Sequence, residues 1–536
     1  MCRGFTREKT SSDMTQSADS ELKPTLGLVA ITINAMALIA PGAFLWTTYQ
    51  LQAPPDSAKN MWAAIALATV IAMLTASCYA TLAKAYPEAG AGSSYYYAEA
   101  AILAKEEHKH FRMARLAKFV TGWAAHLYYW VYPGIMVSFM GTLVVYIGQL
   151  FNPSFASDGF SKALICVVFA LLIGGIALMG VTGSTMINII INVVQIASLT
   201  FLGLLMIIYR LGHPNVNYEH ATAISVVMPH DLSGLIYQAT IAILLVVGFE
   251  SATAMAGEAI NPRRDIPKGV ILSLFIQACI CYFFEYFAAN FFMGDQFTAV
   301  VDGKTVTGFA AALSSGAPIG DISKILGDTL LFGNGFLLQI VMASTVVMAL
   351  IGTGLSALST GVRISYSMGT DRELPAVFGF LHGKYNTPHI GVYFLTTLSA
   401  LIGAYAVQSV DNVTIITLVS NIGTFMLYGI TCGVTLVAKL DHLLDENPSP
   451  IVTIVIPILG LVMNVTMVVG IFYYGLTGVG AAKTNSMTAI GLAIAFFAAG
   501  FAYLIGDSLL KGKPIFLPKD LIHPMRTNVV DSSRSL

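Results

Sequence analysis

The chain has 536 residues, of which 56% are hydrophobic and only 11% charged, with a mean hydropathy of +0.73. Soluble domains carry about 25% charged residues, so the composition excludes a string of soluble domains and points to an all-α polytopic membrane protein. A formal net charge of −1 gives no basic field for nucleic acid, so the partners expected are the lipid bilayer and a small molecule, with no nucleic acid.

The first 23 residues are polar and Ser-rich, lack the apolar core of a signal peptide, and are read as a disordered cytoplasmic tail. Twelve apolar stretches follow, each near the ~20 residues that cross a bilayer. They are placed at 25–51, 61–84, 119–150, 161–181, 184–209, 235–258, 268–293, 335–360, 389–408, 412–438, 451–475 and 485–510. An even number returns both termini to one side. With the N-terminus inside, the inner segments hold 22 of the 28 Lys and Arg residues and the outer segments six, namely Lys59, Lys162, Arg210, Lys304, Lys324 and Lys483. That asymmetry is the positive-inside pattern, and it places both termini in the cytoplasm. Residues 511–536 form a short polar C-terminal tail. Five of the six cysteines fall in apolar spans and the sixth is Cys2, so no disulfide framework or zinc spacing is present.

The first span contains ALIAPGAFLW (37–46). Pro41 removes a backbone donor and Gly42 adds no stiffness, so the helix is expected to break there. An inner loop follows the second span: 85–118 reads as an interfacial helix and then a basic helix. The third span carries His126 and, ahead of Pro133-Gly134, Tyr132, which is read as a substrate contact or gate with Tyr128 and Tyr129 as packing residues. A lone intramembrane histidine is often only hydrogen-bonded to a neighbouring helix. The sixth span contains VVGFES (246–251), a second interruption five spans after the first. Broken backbone cannot face lipid, because unpaired amide groups there cost several kcal/mol each. Paired breaks in two halves are therefore the mark of a transporter site: free N–H groups and helix N-termini hold a carboxylate, and free C=O groups hold a cation or ammonium. Glu250 sits inside this second break, where an ionisable group is costly and functional by default. It is expected to bind a substrate ammonium, to titrate with transport, or to hold the sixth span unwound by hydrogen bonding. Glu285, in the seventh span, is the next intramembrane carboxyl group. The outer loop 294–334 is long for a connection, which is consistent with a lid or with a packed surface loop.

Three segments resemble the amino acid–polyamine–organocation permeases. PEAGAGSSYYYAEA (87–100) is similar to their inner-loop signature, GFESATAMAGEAINPRRDIPKG (248–269) to their sixth-helix motif, and RISYSMGTDRELPAVFGFLHGKYNTPH (363–389) to the loop after helix 8. They fall in the family's order and on its expected side. The resemblance implies the leucine-transporter fold: helices 1–5 and 6–10 as two inverted repeats, making a core over residues 24–438, and two extra helices over 439–510. It implies a substrate held at the midplane between helices 1 and 6, on Ile39, Ala40, Pro41, Gly42, Ala43, Tyr132, Gly248, Phe249 and Glu250, and transport by alternating access.

For coupling, the intramembrane titratable groups Glu250, Glu285 and His126 are candidates, the resemblance favouring Glu250 and adding Gln195. The last stands where several family members place a lysine, and a glutamine cannot cycle a proton. Ser344 and Thr345, with carbonyls near Met36–Ala40, resemble the sodium site of sodium-coupled relatives, and oxygen ligands suit a hard cation. The family also uses inner-loop ion pairs in gating, which draws attention to Glu258, Arg263, Arg264, Asp265, Asp371 and Arg372. No cofactor is expected beyond a proton or sodium ion. No metalloprotease motif or nucleophile with its base is present, so the chain is read as no enzyme. The expected function is secondary transport of an amino acid or small amine across the plasma membrane or a bacterial inner membrane. Obligatory exchange and a non-transporting sensor are the alternatives, and the sequence leaves the oligomeric state open.

Overall fold

The computed structural model describes residues 25–39, 41–54, 56–87, 93–103, 111–180, 185–383, 385, 387–440 and 449–511. The N-terminal tail, Ala40 and nearly all of the C-terminal tail lie outside these residues. Among the described residues, eleven helices are long and apolar enough to cross a bilayer, and the shorter apolar helix Leu28–Ile39 continues as Pro41–Gln52 to give a twelfth crossing. The chain is thus an all-α multi-pass membrane protein.

The spans sort into two sets. The second span (Ala58–Ala85) packs against the sixth (Leu232–Glu258) and the seventh (Pro262–Phe292), and the first packs against both the sixth and the seventh. The ninth span (His389–Ala406) packs against the third (Met113–Phe151) and fourth (Gly159–Leu178), with the eighth (Gly335–Thr370) beside the third. The fifth span (Asn188–Gly212) touches the first, seventh and eighth, and the tenth (Val410–Lys439) touches the second and third. The eleventh (Ile451–Thr477) and twelfth (Gly480–Leu510) lie outermost: only 22% of the twelfth span's apolar stretch is buried inside the protein, against 78% of the sixth's. A helix apolar all round and left uncovered faces lipid, so the interior is built by the interrupted spans and their neighbours.

The interruption of span six is seen directly; in span one the helices Leu28–Ile39 and Pro41–Gln52 flank Ala40, outside the described residues, and Gly42 N–H bonds Gln195 Oε1 from another span. Pro41 is the first residue of the second half of span one, where its missing N–H is one the helix could not have used. In the sixth span the helix Leu232–Ala242 ends earlier than the sequence suggests, tightens into a 3-10 turn at Ile243–Leu245, and restarts after Gly248 as the 3-10 segment Phe249–Glu258. Gly248 has φ 114°, a conformation closed to side chains with a Cβ. A Cβ there would also sit 2.8 Å from Leu38 Cγ and 3.1 Å from the Leu38 carbonyl carbon. The two breaks therefore lie against each other. The seventh span carries a π-helical segment, Gln277–Tyr282, facing the same region.

The two ends of the bundle are finished differently. At the end richer in Lys and Arg, called here the basic end, the amides of Thr25 and Leu26 both donate to the Glu258 carbonyl at 2.9 Å, and Ile260 N–H donates to the Leu26 carbonyl at 2.9 Å. These bonds tie the entrance of span one to the exit of span six. The loop helix Ser94–Leu103 packs on span three. At the opposite end the 294–334 connection is structured. Thr298–Val301 and Lys304–Thr307 form an antiparallel hairpin whose Asp302-Gly303 turn has φ 50° and 76°, the Asp-Gly turn that suits strand twist. Helices Gly308–Ser314 and Pro318–Leu330 then lie on the second half of span one.

Candidate functional site

The paired breaks leave backbone groups without helical partners, and neutral side chains from other spans meet them. Gln195 of span five accepts from Gly42 N–H at 3.0 Å through Oε1. Thr353 of span eight donates to the Ala37 carbonyl at 3.1 Å. Gln277, at the start of the π-helical segment, donates to the Met36 carbonyl at 3.2 Å and to Asn192 Oδ1 at 2.8 Å. Asn192 in turn donates to the Ile33 carbonyl at 3.3 Å. The first span is held open by a clasp of amides and one hydroxyl. A Cβ at Gly42 would lie 2.8 Å from Gln195 Oε1 and push the end of that side chain aside.

The second break is held by a carboxylate. Glu250 is 3% exposed. Its Oε1 accepts from the Tyr129 hydroxyl at 2.6 Å, and its Oε2 accepts from the Tyr428 hydroxyl at 2.7 Å and Gly248 N–H at 3.1 Å. Three donors, one of them at the N-terminus of the 3-10 segment, satisfy a buried anion in the way such a group demands. Tyr79, Phe249 and Tyr428 pack edge to face and tilted around it. Tyr129 thus bonds Glu250 as well as packing against its neighbours, a contact the sequence did not reveal. Beneath Glu250 lies a cavity of ≈ 10 Å³ lined by residues including Tyr95, Tyr129, Ala254, Thr360 and Ile364, about room for one water.

Of the residues named from sequence, Ile39, Ala43, Gly248, Phe249 and Glu250 gather at the buried breaks with Gly42 and Gln195. Tyr132 is buried with its ring edge-on to Tyr128, centroids 5.2 Å apart. Pro41 begins the second helical half, and Ala40 is outside the described residues. His126 is packed between Trp123 and Trp130. Its Nε2 lies 3.1 Å from Ser365 Oγ, which already donates to the Gly361 carbonyl and accepts from Trp130. The imidazole must therefore be the donor, and the residue acts as interhelical glue. Glu285 is fully buried, with no hydrogen-bond partner for either oxygen among the described residues. It is close enough to Tyr49 and Tyr286 to act on both hydroxyls electrostatically.

The Ser344–Thr345 expectation is corrected. Ser344 is exposed on the outer face of span eight, and both hydroxyls bond carbonyls of their own helix, Ile340 at 2.8 Å and Met342 at 2.7 Å. Thr353 reaches span one, its hydroxyl shared between the Ala349 carbonyl of its own helix at 2.9 Å and the Ala37 carbonyl at 3.1 Å. It sits nine positions after Ser344, about two and a half turns on and so on the opposite face.

Polar and aromatic contacts link the elements on both sides of the breaks. Toward the basic end, Lys118 of span three donates to Glu99 of the loop helix and to Asp371, just past span eight, at 2.6 Å each. Arg115 pairs with Glu99 at 3.2 Å, and the Tyr95 hydroxyl donates to Asp371 at 3.1 Å. Lys118 also lies over the rings of Tyr95 and Tyr96, at 4.6 and 5.0 Å. Of the inner-loop charges singled out in the sequence, Asp371 joins this cluster and Glu258 pairs with Arg363 at 3.6 Å. Glu99, Arg115 and Lys118 were not marked as partners. Toward the other end, Trp46 packs edge-on to Tyr146, whose hydroxyl donates to Asp321 at 2.8 Å. Gln339 donates to the same hydroxyl, and Ser315 donates to Asp321 at 2.5 Å.

Comparison with known proteins accounts for this architecture. The amino acid permease family matches residues 25–500, and the chain belongs to that family, within the amino acid–polyamine–organocation superfamily of permeases rather than enzymes. It is 23% identical over 416 residues to the branched-chain amino acid permease BcaP of Bacillus subtilis, covering 74% of this chain and 78% of that one. It is 24% identical over 452 residues to the methylthioribose transporter of Bacillus subtilis, covering 82% and 86%. It is also 24% identical over 417 residues to the low-affinity putrescine importer PlaP of Escherichia coli K12, covering 76% and 79%. These relatives carry chemically different small organic molecules, so the family fixes the class of activity and not the cargo.

Proposed function

We propose that the chain carries an amino acid or a related small amine across the plasma membrane or a bacterial inner membrane by alternating access, with both termini in the cytoplasm. The substrate sits between the interrupted first and sixth spans. The observation that carries this reading is the pair of breaks facing each other at Leu38 and Gly248, both buried. The helix that starts at Pro41 points its N-terminus at the break and supplies donors for a carboxylate. The freed carbonyls at the end of Leu28–Ile39 supply acceptors for an ammonium group.

Glu250 serves chiefly as the clamp that keeps span six open. Its oxygens already have three donors, and losing Tyr129 leaves Oε1 buried and unsatisfied. Glu285, with no hydrogen-bond donor among the described residues, is the better candidate for a proton that moves with transport. Sodium at Ser344–Thr345 is not part of the proposal, because Ser344 is exposed and both hydroxyls bond carbonyls of their own helix.

The test is flux into proteoliposomes holding purified protein. Labelled amino acids, amines and methylthioribose are offered with a proton gradient, a sodium gradient, or unlabelled substrate inside. Proton-driven uptake lost in Glu285→Gln supports coupled transport through that residue. Uptake that requires internal substrate means exchange. Saturable binding with no flux under any condition contradicts transport and favours a sensor.

A further inference from the structure

The ion cluster at the basic end contains one more acid. Glu373 follows Asp371 by two residues, is 6% exposed, and has no hydrogen-bond partner on Oε2 among the described residues. The groups that face it are Lys118 and Arg115 from span three, Tyr95 from the loop helix, and Asp371 from its own segment. Glu99 of the loop helix faces the same two cations. Lys118 and Arg115 supply two positive charges, and Glu99 and Asp371 supply two negative ones. With Glu373 neutral, the charges of these described residues balance. With Glu373 ionised, they include an excess buried anion, which is costly.

The same cluster reaches toward the breaks. Tyr95 lines the small cavity under Glu250, and its hydroxyl is held by Asp371, itself held by Lys118. The cluster ties three separate elements together, the loop helix, the start of span three and the segment after span eight. We propose that Glu373 is a proton-binding site apart from the substrate cavity, and that a proton bound there holds the basic-end gate shut. The gating role rests on the transport reading given above.

Burial pushes the Glu373 carboxyl up to about 7, against the pull of Lys118 and Arg115. Once the gate parts and water enters, the carboxyl returns toward the ordinary glutamate value of about 4.3. The closed state therefore binds the proton more tightly. Closure is fully favoured below the open-state value, and that advantage is lost as pH rises through the closed-state value. From pH 5.5 to 8 the opening equilibrium is expected to rise by roughly 10- to 30-fold.

Hydrogen–deuterium exchange on the purified full chain reads that equilibrium, after correction for the intrinsic pH dependence of exchange. Backbone amides of Ser94–Leu103 should exchange at least tenfold faster at pH 8 than at pH 5.5, with span twelve unchanged. Glu373→Gln should abolish the pH dependence and leave the loop helix protected throughout. A flat wild-type profile overturns the proposal, as does an undiminished slope in Glu373→Gln. Should that variant fail to fold, Glu373→Asp serves instead, with a displaced midpoint expected and an unmoved one contradicting the assignment. Uptake is measured on the same preparation. Loss of uptake with the pH-dependent exchange intact counts against the transport reading alone, and uptake with flat exchange counts against Glu373 alone.

Discussion

The two ends of this bundle are tied together by different chemistry. The basic end is held by buried charges from three elements, with Lys118 between Glu99 and Asp371. The opposite end is held by ring packing of Trp46 on Tyr146 and by hydroxyl and amide bonds onto Asp321 and Tyr146. Buried ion pairs are strong only as complete sets, because removing one partner strands another charge, whereas hydroxyl contacts are individually modest. The basic end should therefore open as a unit and respond to pH, while the other end should yield piecemeal and respond little. Between them the first break is held by neutral amides, so the site itself needs no ion to keep its shape.

That contrast can be broken by substitution. The largest effect is expected where both halves meet: Gly248→Ala forces a Cβ into a left-handed backbone position 2.8 Å from Leu38 Cγ, and uptake should fall at least about 100-fold, the size of a roughly 3 kcal/mol penalty. Next is Lys118→Met, which leaves Glu99 and Asp371 facing each other. It should cost about 2–3 kcal/mol of the closed state, because Glu99 keeps its Arg115 partner, read as faster hydrogen exchange in Ser94–Leu103 and a lower Tm. Glu250→Gln keeps an acceptor for one tyrosine and loses the charge on all three bonds. A cost of about 1.5–3 kcal/mol is expected, visible as loss of uptake with the chain still folded. Tyr146→Phe removes one hydroxyl from the opposite end at about 1–2 kcal/mol. It should raise exchange in Pro318–Leu330 while leaving Ser94–Leu103 unchanged. If Tyr146→Phe loosens the basic end as much as its own, the two closures are one cooperative unit and the contrast fails.

Much of the fold was legible in the sequence, because it rests on signals that are local. Long apolar runs, the distribution of Lys and Arg, Pro41-Gly42 and Gly248 each act on the backbone where they stand. The partners of the broken backbone were not legible. Tyr129 and Tyr428 reach Glu250 from 121 and 178 positions away in the chain, and in sequence they are two tyrosines among 23. Thr353 and Gln277 are single polar residues in apolar spans, where such groups commonly bond their own helix or a neighbour. Thr353 was not singled out, because apolar composition on both sides of span eight gave no phase: Ser344 lies nine positions away and so on the reverse face. Glu99, Arg115 and Lys118 stood in plain view as inner-loop charges. Their pairing depends on how the loop helix docks, which no local pattern encodes.

The claim on which everything else rests is that substrate occupies the space between the two breaks. Ala43 is buried there, next to Gly42. A chain with its six native cysteines replaced and Ala43→Cys introduced would be labelled in proteoliposomes by a thiol reagent, with and without a saturating amino acid that it transports. The account predicts that the transported amino acid slows labelling at least about tenfold, while an amino acid that is not transported leaves it unchanged. A labelling rate indifferent to transported substrate would place the binding site elsewhere in the molecule.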